Sequence, residues 1–276
     1  MRRRWLAGLF VAALVVAAGL WLLLRVLPEP IDPTWERIME TGVLRVCTDP
    51  SWLPFEFIDQ NTAQIEGFDV DLARLLAERL IPGADSDPVV AAQPAVRAAI
   101  LSVGFDSLYD ALLAGRCDAV LSALPYEPAR TQDVVYSVAY FNAGLALLTR
   151  VDESDIEVLD DLAERVVGVE WGFVPEGNSR QRDLMRNLSL RRYETAADAL
   201  RALHAGEVEA AIVDRMTALA YIRDCDGLQF VGEPLYDVNY VIPLRPGSFR
   251  LLEEINRVLL EMREDGTLER LQEKWL

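Results

Sequence analysis

The chain is short of histidine, cysteine and positive charge, and each shortage removes a class of function. One histidine, His204, stands in 276 residues. It lies inside a helical pattern, so nucleophile–histidine triads are excluded. The three cysteines, Cys47, Cys117 and Cys225, offer neither a CxxC pair nor a cysteine–histidine spacing, so neither a metal nor a cofactor is expected. Cys47 would close one strand and Cys117 would precede another. In a parallel sheet that sets them at opposite ends, and no disulfide between them is expected. Lysine and arginine number 27 against 44 aspartates and glutamates, a formal charge of −17. That balance excludes nucleic acid as a partner, which needs a cationic face, and a body that hugs an anionic membrane. Beyond solubility the acidity carries no further meaning.

An uncharged run long enough to cross a membrane occurs at the start, where Trp5 to Leu24 covers 20 residues between Arg2-Arg3-Arg4 and Arg25. As a helix it would span about 30 Å, the thickness of a bilayer core, and the arginines predict that it starts inside the cell. A cleaved secretory signal also begins with positive charge. Here the run continues through Leu20-Trp21-Leu22-Leu23-Leu24 past the small residues Ala17, Ala18 and Gly19, which favours an uncleaved anchor over 1–27. Either way the body is exported, extracellular or periplasmic. Pro28, Pro30 and Pro33 make 28–34 a stiff tether.

The body alternates strand and helix. Val43 to Cys47 reads as a first strand, followed by a loop with Asp49, Pro50, Trp52 and Pro54. Phe55-Glu56-Phe57 is a short strand. Gly67-Phe68-Asp69-Val70-Asp71 opens a helix with Asp69 and Asp71 in its first turn, where the dipole favours negative charge. Leu72, Leu75, Leu76 and Leu80 form its buried face. Loop covers 82–94, strand Val96 to Val103, helix Ser107 to Ala114. Asp118-Ala119-Val120-Leu121 then reads as a buried strand that stops at Ser122 and runs through Leu124, Pro125 and Pro128 to Arg130. Parallel α/β sheets bind ligands beyond the carboxyl ends of their strands, and a guanidinium there suits a carboxylate. Taken alone, Arg130 reads first as an ordinary surface arginine after a turn. From Ala143 a second α/β set begins: helix Leu159–Arg165, strand Val166–Glu170, helix Ser179–Leu188, strand Arg191–Glu194, helix Ala196–Ala205, strand Ala210–Val213, helix Arg215–Arg223, strand Leu228–Val231. The chain returns near Asn239-Tyr240 and ends in two helices, Phe249–Arg263 and Thr267–Trp275. Two such units create a cleft between them, a favoured place for a ligand.

The order Gly42-Val43-Leu44-Arg45-Val46, Pro54-Phe55, Gly67-Phe68-Asp69-Val70-Asp71-Leu72, Phe105-Asp106-Ser107-Leu108, Asp118 through Arg130, Val167-Gly168-Val169-Glu170-Trp171-Gly172, Ala210 to Asp214 and Met262 to Thr267 resembles the bacterial extracellular solute-binding proteins of family 3. These are the polar amino-acid-binding components of ABC importers. The resemblance implies an α/β, two-lobe periplasmic-binding-protein-like fold with a two-strand hinge. Lobe 1 would be 35–141 with 239–276, and lobe 2 142–238. It implies that Arg130 grips a ligand α-carboxylate, that Asp214 takes the α-ammonium, and that Trp52 and Phe105 flank the ligand side chain. Ser122, with Leu124 on the same turn, would let the backbone approach the ligand. Asp49 stands where some members read a basic side chain, and Gly172-Phe173 where lobe 2 supplies a glycine loop. Asp214 is equally a helix N-cap before Arg215, and the two roles can coexist. Phe105 is equally lobe-1 core, and Asp49-Pro50 equally a turn. The chain departs from the family's pattern at Pro125, which has no N–H to donate, at Glu127, and over Phe173 to Ser179.

The function implied is capture of a small polar, amino-acid-like ligand by a monomer and its delivery to an ABC transporter permease, without catalysis. The alternative is a dehydratase on the same fold acting on a prephenate-like acid, for which a cleft carboxylate (Glu127, Glu170 or Glu176) would serve as general acid. A sensor signalling through a partner ranks below both.

Overall fold

The computed structural model describes residues 31–81, 95–173 and 179–276. The apolar run 5–24, residues 28–30 of the tether, the loop over 82–94 and Glu176 lie outside the described residues. Among the described residues no helix is long and apolar enough to cross a membrane.

The first sheet is built on β1 (Val43–Thr48), which lies between two parallel neighbours, β5 (Arg97–Ser102) and β6 (Ala119–Val120). The returning strand β15 (Pro243–Leu244) pairs antiparallel to β6 and to β7 (Val135–Tyr136), giving the order β5-β1-β6-β15-β7. A three-stranded meander, β2 (Ser51–Trp52), β3 (Glu56–Ile58) and β4 (Ile65–Glu66), leads into the helix Phe68–Arg79. Gly67 makes that entry possible. Its φ is 135°, and a Cβ there would stand 2.2 Å from the Phe55 carbonyl oxygen, so only glycine fits. The expected apolar face forms: Leu72, Leu76 and Leu80 are fully buried and Leu75 packs against the same core. The aromatic centre of that core is Phe55, whose ring meets Phe68, Phe141 and Tyr240 edge to face at 5.5, 5.4 and 5.4 Å, the geometry that ring quadrupoles favour.

One expectation is overturned. Cys47 and Cys117 form a disulfide, with their Cα atoms 5.7 Å apart. The error lay in treating β1 and β6 as strands that start level. They are staggered: Val46, the fourth residue of β1, pairs with Ala119, the first of β6. The Asp118 N–H already bonds the Arg45 carbonyl. Cys117 therefore enters beside the middle of β1, within reach of Cys47, and both are buried in one apolar cluster with Leu108, Leu112 and Val120. Cys225 is the free thiol.

The second sheet has the order β11-β10-β12-β9-β13. Its parallel part is β10 (Val166–Glu170) between β11 (Ser189–Tyr193) and β12 (Ala210–Asp214). The antiparallel part is β9 (Leu145–Arg150) between β12 and β13 (Leu228–Val231). The helix expected over Leu159–Arg165 shortens to one 3₁₀ turn, Leu159–Leu162. The Asp161 carboxylate accepts the N–H groups of Glu157 and Val158, and Glu164 turns left-handed at φ 68°, so the chain stops and enters β10. The helix Ala196–His204 begins where it should, with Thr195 and Asp198 capping each other's N–H groups at 3.1 and 3.2 Å.

A two-stranded ladder joins the two sheets, β8 (Phe141–Asn142) against β14 (Asn239–Tyr240). Gly144, just past it, is another glycine that nothing can replace, since a Cβ would lie 1.7 Å from the Tyr236 carbonyl oxygen. This is a two-lobe α/β periplasmic-binding-protein fold, with both sheets and the ladder inside the compact unit Thr34–Leu276.

Candidate ligand site

Beyond the carboxyl ends of β1 and β6 lies a cavity of about 410 Å³. Asp49, Trp52, Phe105 and Ser122, four of the residues singled out from sequence, line it together. Their positions follow from the strands that deliver them. β1 ends at Thr48 and hands over to Asp49, and β6 runs into Leu121 and Ser122. The Asp49 carboxylate accepts the Phe105 N–H at 2.8 Å, and the Asp49 N–H donates to Ser122 Oγ at 3.0 Å. Trp52 and Phe105 are 55% and 56% exposed. Both rings stand open to solvent, so Phe105 is not lobe-1 core.

Beneath this wall lies a group that the sequence reading passed over. Glu56 lines the cavity yet is 1% exposed, and Asp69 behind it is equally buried. Ser122 Oγ donates to Glu56 Oε1 at 2.8 Å. Asp69 Oδ2 accepts the Ala123 N–H at 2.7 Å and the Tyr140 hydroxyl at 3.0 Å. Glu56 Oε2 and Asp69 Oδ1 find no hydrogen-bond partner, and the two carboxyl groups lie close enough for each to act on the other's ionisation. Burial, then the charge of Asp69, pushes the Glu56 carboxyl far up, and burial raises Asp69. Tyr240, on the cavity's hinge side, has its hydroxyl pushed up to about 12 by burial first and then by the charges of Asp69, Glu56 and Asp214. A signal for Glu56 existed: in Phe55-Glu56-Phe57 a carboxyl sits between two phenylalanines in a strand whose neighbours are core. Asp69 was hidden because an acid in a helix's first turn is explained by the dipole alone. Asp71 does fill such a surface role, paired with Lys274 and Trp275 at 2.6 and 3.0 Å.

The other singled-out residues lie elsewhere. The Leu124 side chain is buried in the cluster around the disulfide, and its carbonyl accepts the Val241 N–H. Arg130 is not part of the cavity lining. Its guanidinium pairs with Glu127 at 3.0 Å and stacks 4.2 Å from the Tyr109 ring centre. Among the acids considered for catalysis, Glu127 is thus held by Arg130, and Glu170 is exposed at the end of β10. In the second lobe, Gly172 adopts φ 86° with open space around it, and Phe173 packs on the core there. Asp214 closes β12 and caps the next helix, its Oδ1 accepting the Thr217 N–H at 2.8 Å. It is near enough to Tyr240 for its charge to be felt at that hydroxyl. Among the described residues no group of acids, histidines and cysteines could hold a metal ion.

This arrangement, two α/β lobes with a partly aromatic, acidic cavity at the strand ends of one of them, defines a solute-binding protein. The chain belongs to the bacterial extracellular solute-binding proteins, family 3, whose model matches residues 44–276. It is similar to the L-cystine-binding protein TcyJ of Escherichia coli (strain K12), 29% identical over 87% of this chain and 84% of that one. It is also similar to the arginine-binding extracellular protein ArtP of Bacillus subtilis (strain 168), 28% identical over 83% and 84%. Among solved structures, an ancestral cyclohexadienyl dehydratase superposes with a TM-score of 0.72 at 25% identity, covering 89% of this chain and 96% of that one.

Proposed function

We propose that this protein captures a small polar, amino-acid-like ligand between its lobes and delivers it to an ABC transporter permease. The observation that carries the reading is the first-lobe cavity, where the exposed rings of Trp52 and Phe105 share the lining with Asp49, whose carboxylate accepts the Phe105 N–H. Ring faces and one fixed anion suit a ligand whose side chain carries a positive charge. Asp214 answers the ligand's ammonium from the other lobe. Arg130 leaves Glu127 to take the carboxylate, an exchange of one surface ion pair for a bound one. Gly172 and Phe173 supply the second lobe's edge, and the turn from Ser122 to Leu124 supplies the first lobe's. Lobe 1 comprises 35–141 and 239–276, lobe 2 142–238. The apolar run 5–24 anchors the chain, a monomer, to the membrane with its body outside; this part rests on the sequence alone.

Titration calorimetry of the full-length chain against a panel of amino acids tests the reading. Saturable binding without turnover is expected, and Arg130→Ala should weaken it by about 2–5 kcal/mol, the cost of stranding a bound carboxylate. Binding untouched by that change would remove Arg130 from the site. A second reading, a dehydratase, gains one observation: a buried carboxyl in the cavity wall, Glu56, which burial pushes far up. Incubation with prephenate and product analysis separates the two.

A further inference from the structure

The cavity's floor contains two acids and no base. Glu56 accepts the Ser122 hydroxyl, and Asp69 accepts the Ala123 N–H and the Tyr140 hydroxyl. Their other oxygens, Glu56 Oε2 and Asp69 Oδ1, are buried with no donor, and each carboxyl feels the other. The titratable groups that face them from neighbouring elements are Asp49 after β1, Tyr140 before β8 and Tyr240 in β14, with Asp214 acting from the second lobe on Tyr240. All of these are acids. Two carboxylates cannot both stay ionised in contact in such a place. One carboxylate can, since Asp69 then accepts from Ala123, from Tyr140 and from a protonated Glu56. The same chain continues to the ligand side: Glu56 Oε1 fixes the Ser122 hydroxyl, and Ser122 Oγ holds the Asp49 N–H.

We propose that Glu56 and Asp69 hold one proton between them, and that this proton positions the ligand-facing turn Ser122–Ala123 and the Asp49 backbone. The pair is a positioning device that makes ligand capture sensitive to alkaline pH. Its part concerning ligand rests on the solute-binding reading above; its part concerning the proton does not. Ala123 marks the turn as constrained, since it is held at φ 46°, a conformation rare for a residue with a Cβ. Its N–H is pinned by Asp69. When the shared proton leaves, the second carboxylate repels Asp69, and the wall that carries Ser122, Ala123 and Asp49 loosens together.

The sign of the linkage follows. Glu56 is pushed up to about 10 in the folded chain, against about 4.3 when unfolded. A raised acid stabilises most below its unfolded value, and that stabilisation is lost as pH rises through the folded value. Thermal unfolding of the full-length chain should therefore show stability falling as pH rises from about 5 to about 10, by about tenfold in the folding constant per pH unit at the steepest. Glu56→Gln, which keeps the shape and a donor for Asp69, should flatten that slope. Infrared spectra at neutral pH should show a buried protonated-carboxyl band that Glu56→Gln removes, and the Ala123 amide resonance should titrate in the parent chain and not in the variant. With L-arginine as probe, the parent's affinity should fall about tenfold further than the variant's one pH unit above the pair's midpoint. No such band, or the same pH slope with and without Glu56, overturns the shared proton. A band and slope as expected with identical pH profiles of L-arginine binding overturns the positioning role. Failure of every amino acid to bind defeats the solute reading and leaves the proton to the infrared and stability measurements. Should Glu56→Gln fail to fold, Asp69→Asn serves the same infrared and slope comparison.

Discussion

The two ends of β6 are both guarded by buried acids, and the guards are built on different principles. At the strand's start Asp118, fully buried, is met by three guanidinium groups, those of Arg37, Arg45 and Arg245, with Arg45 and Arg245 at 2.8 and 3.7 Å. Its backbone neighbour Cys117 is tied to Cys47. At the strand's far end Asp69 meets an N–H, a hydroxyl and another acid. The first arrangement is built from guanidinium groups, which carry a fixed positive charge. The second depends on one proton. The fixed end lies away from the cavity and the titratable end forms its floor, so rigidity and adjustability are divided along a single strand.

The contrast is sharpest when each guard is removed. Asp118→Ala leaves three arginines facing a buried gap, and breaking a buried ion cluster from one side costs about 3–5 kcal/mol. Urea unfolding of the full-length chain measures it. A loss under about 1 kcal/mol would mean that the arginines are solvated well enough to do without their partner and that the start of the strand is not charge-locked. The disulfide comes next. It closes a 70-residue separation, and replacing both Cys47 and Cys117 by alanine should cost about 2–4 kcal/mol. That loss should be independent of pH through the range where the Glu56–Asp69 end titrates. A pH-dependent loss would show that the two ends are coupled.

How far the sequence reached is clear from particular residues. Period and punctuation carried the architecture: the leucine spacing of the helix Phe68–Arg79 and the alternating strands are local facts, and local facts are written in consecutive residues. The resemblance to family 3 supplied Asp49, Trp52, Phe105 and Ser122, which the fold brings to one cavity. What was hidden depends on register. The disulfide required the three-residue stagger of β6 against β1, which no window of sequence contains. The pairing of Glu56 with Asp69 joins a strand to a helix start, and each residue alone had a sufficient local explanation. The Leu124 side chain fills the core around the disulfide, a place set by the fold and not by its neighbours in sequence. Arg130 shows the remaining gap, because the ring it stacks on, Tyr109, sits on a separate helix that residue identity at 127–130 does not reveal.

The finest test lies on the single hydroxyl that links the titratable end to the ligand. Ser122 is 3% exposed, donates to Glu56 and accepts from the Asp49 N–H. Ser122→Ala removes both bonds while leaving the strand's apolar packing alone, so the expected loss is about 1–2 kcal/mol of stability. The informative quantity is its coupling to Glu56→Leu, which removes the acceptor of the Ser122 hydroxyl, in a double-variant cycle. If the hydroxyl acts through the protonated acid, the two changes should overlap by about 0.5–1.5 kcal/mol, because removing either one breaks the same hydrogen bond. Strict additivity would mean that Ser122 serves Asp49 alone. The chain from buried proton to cavity wall would then be cut at its middle, although the proton itself would still be there.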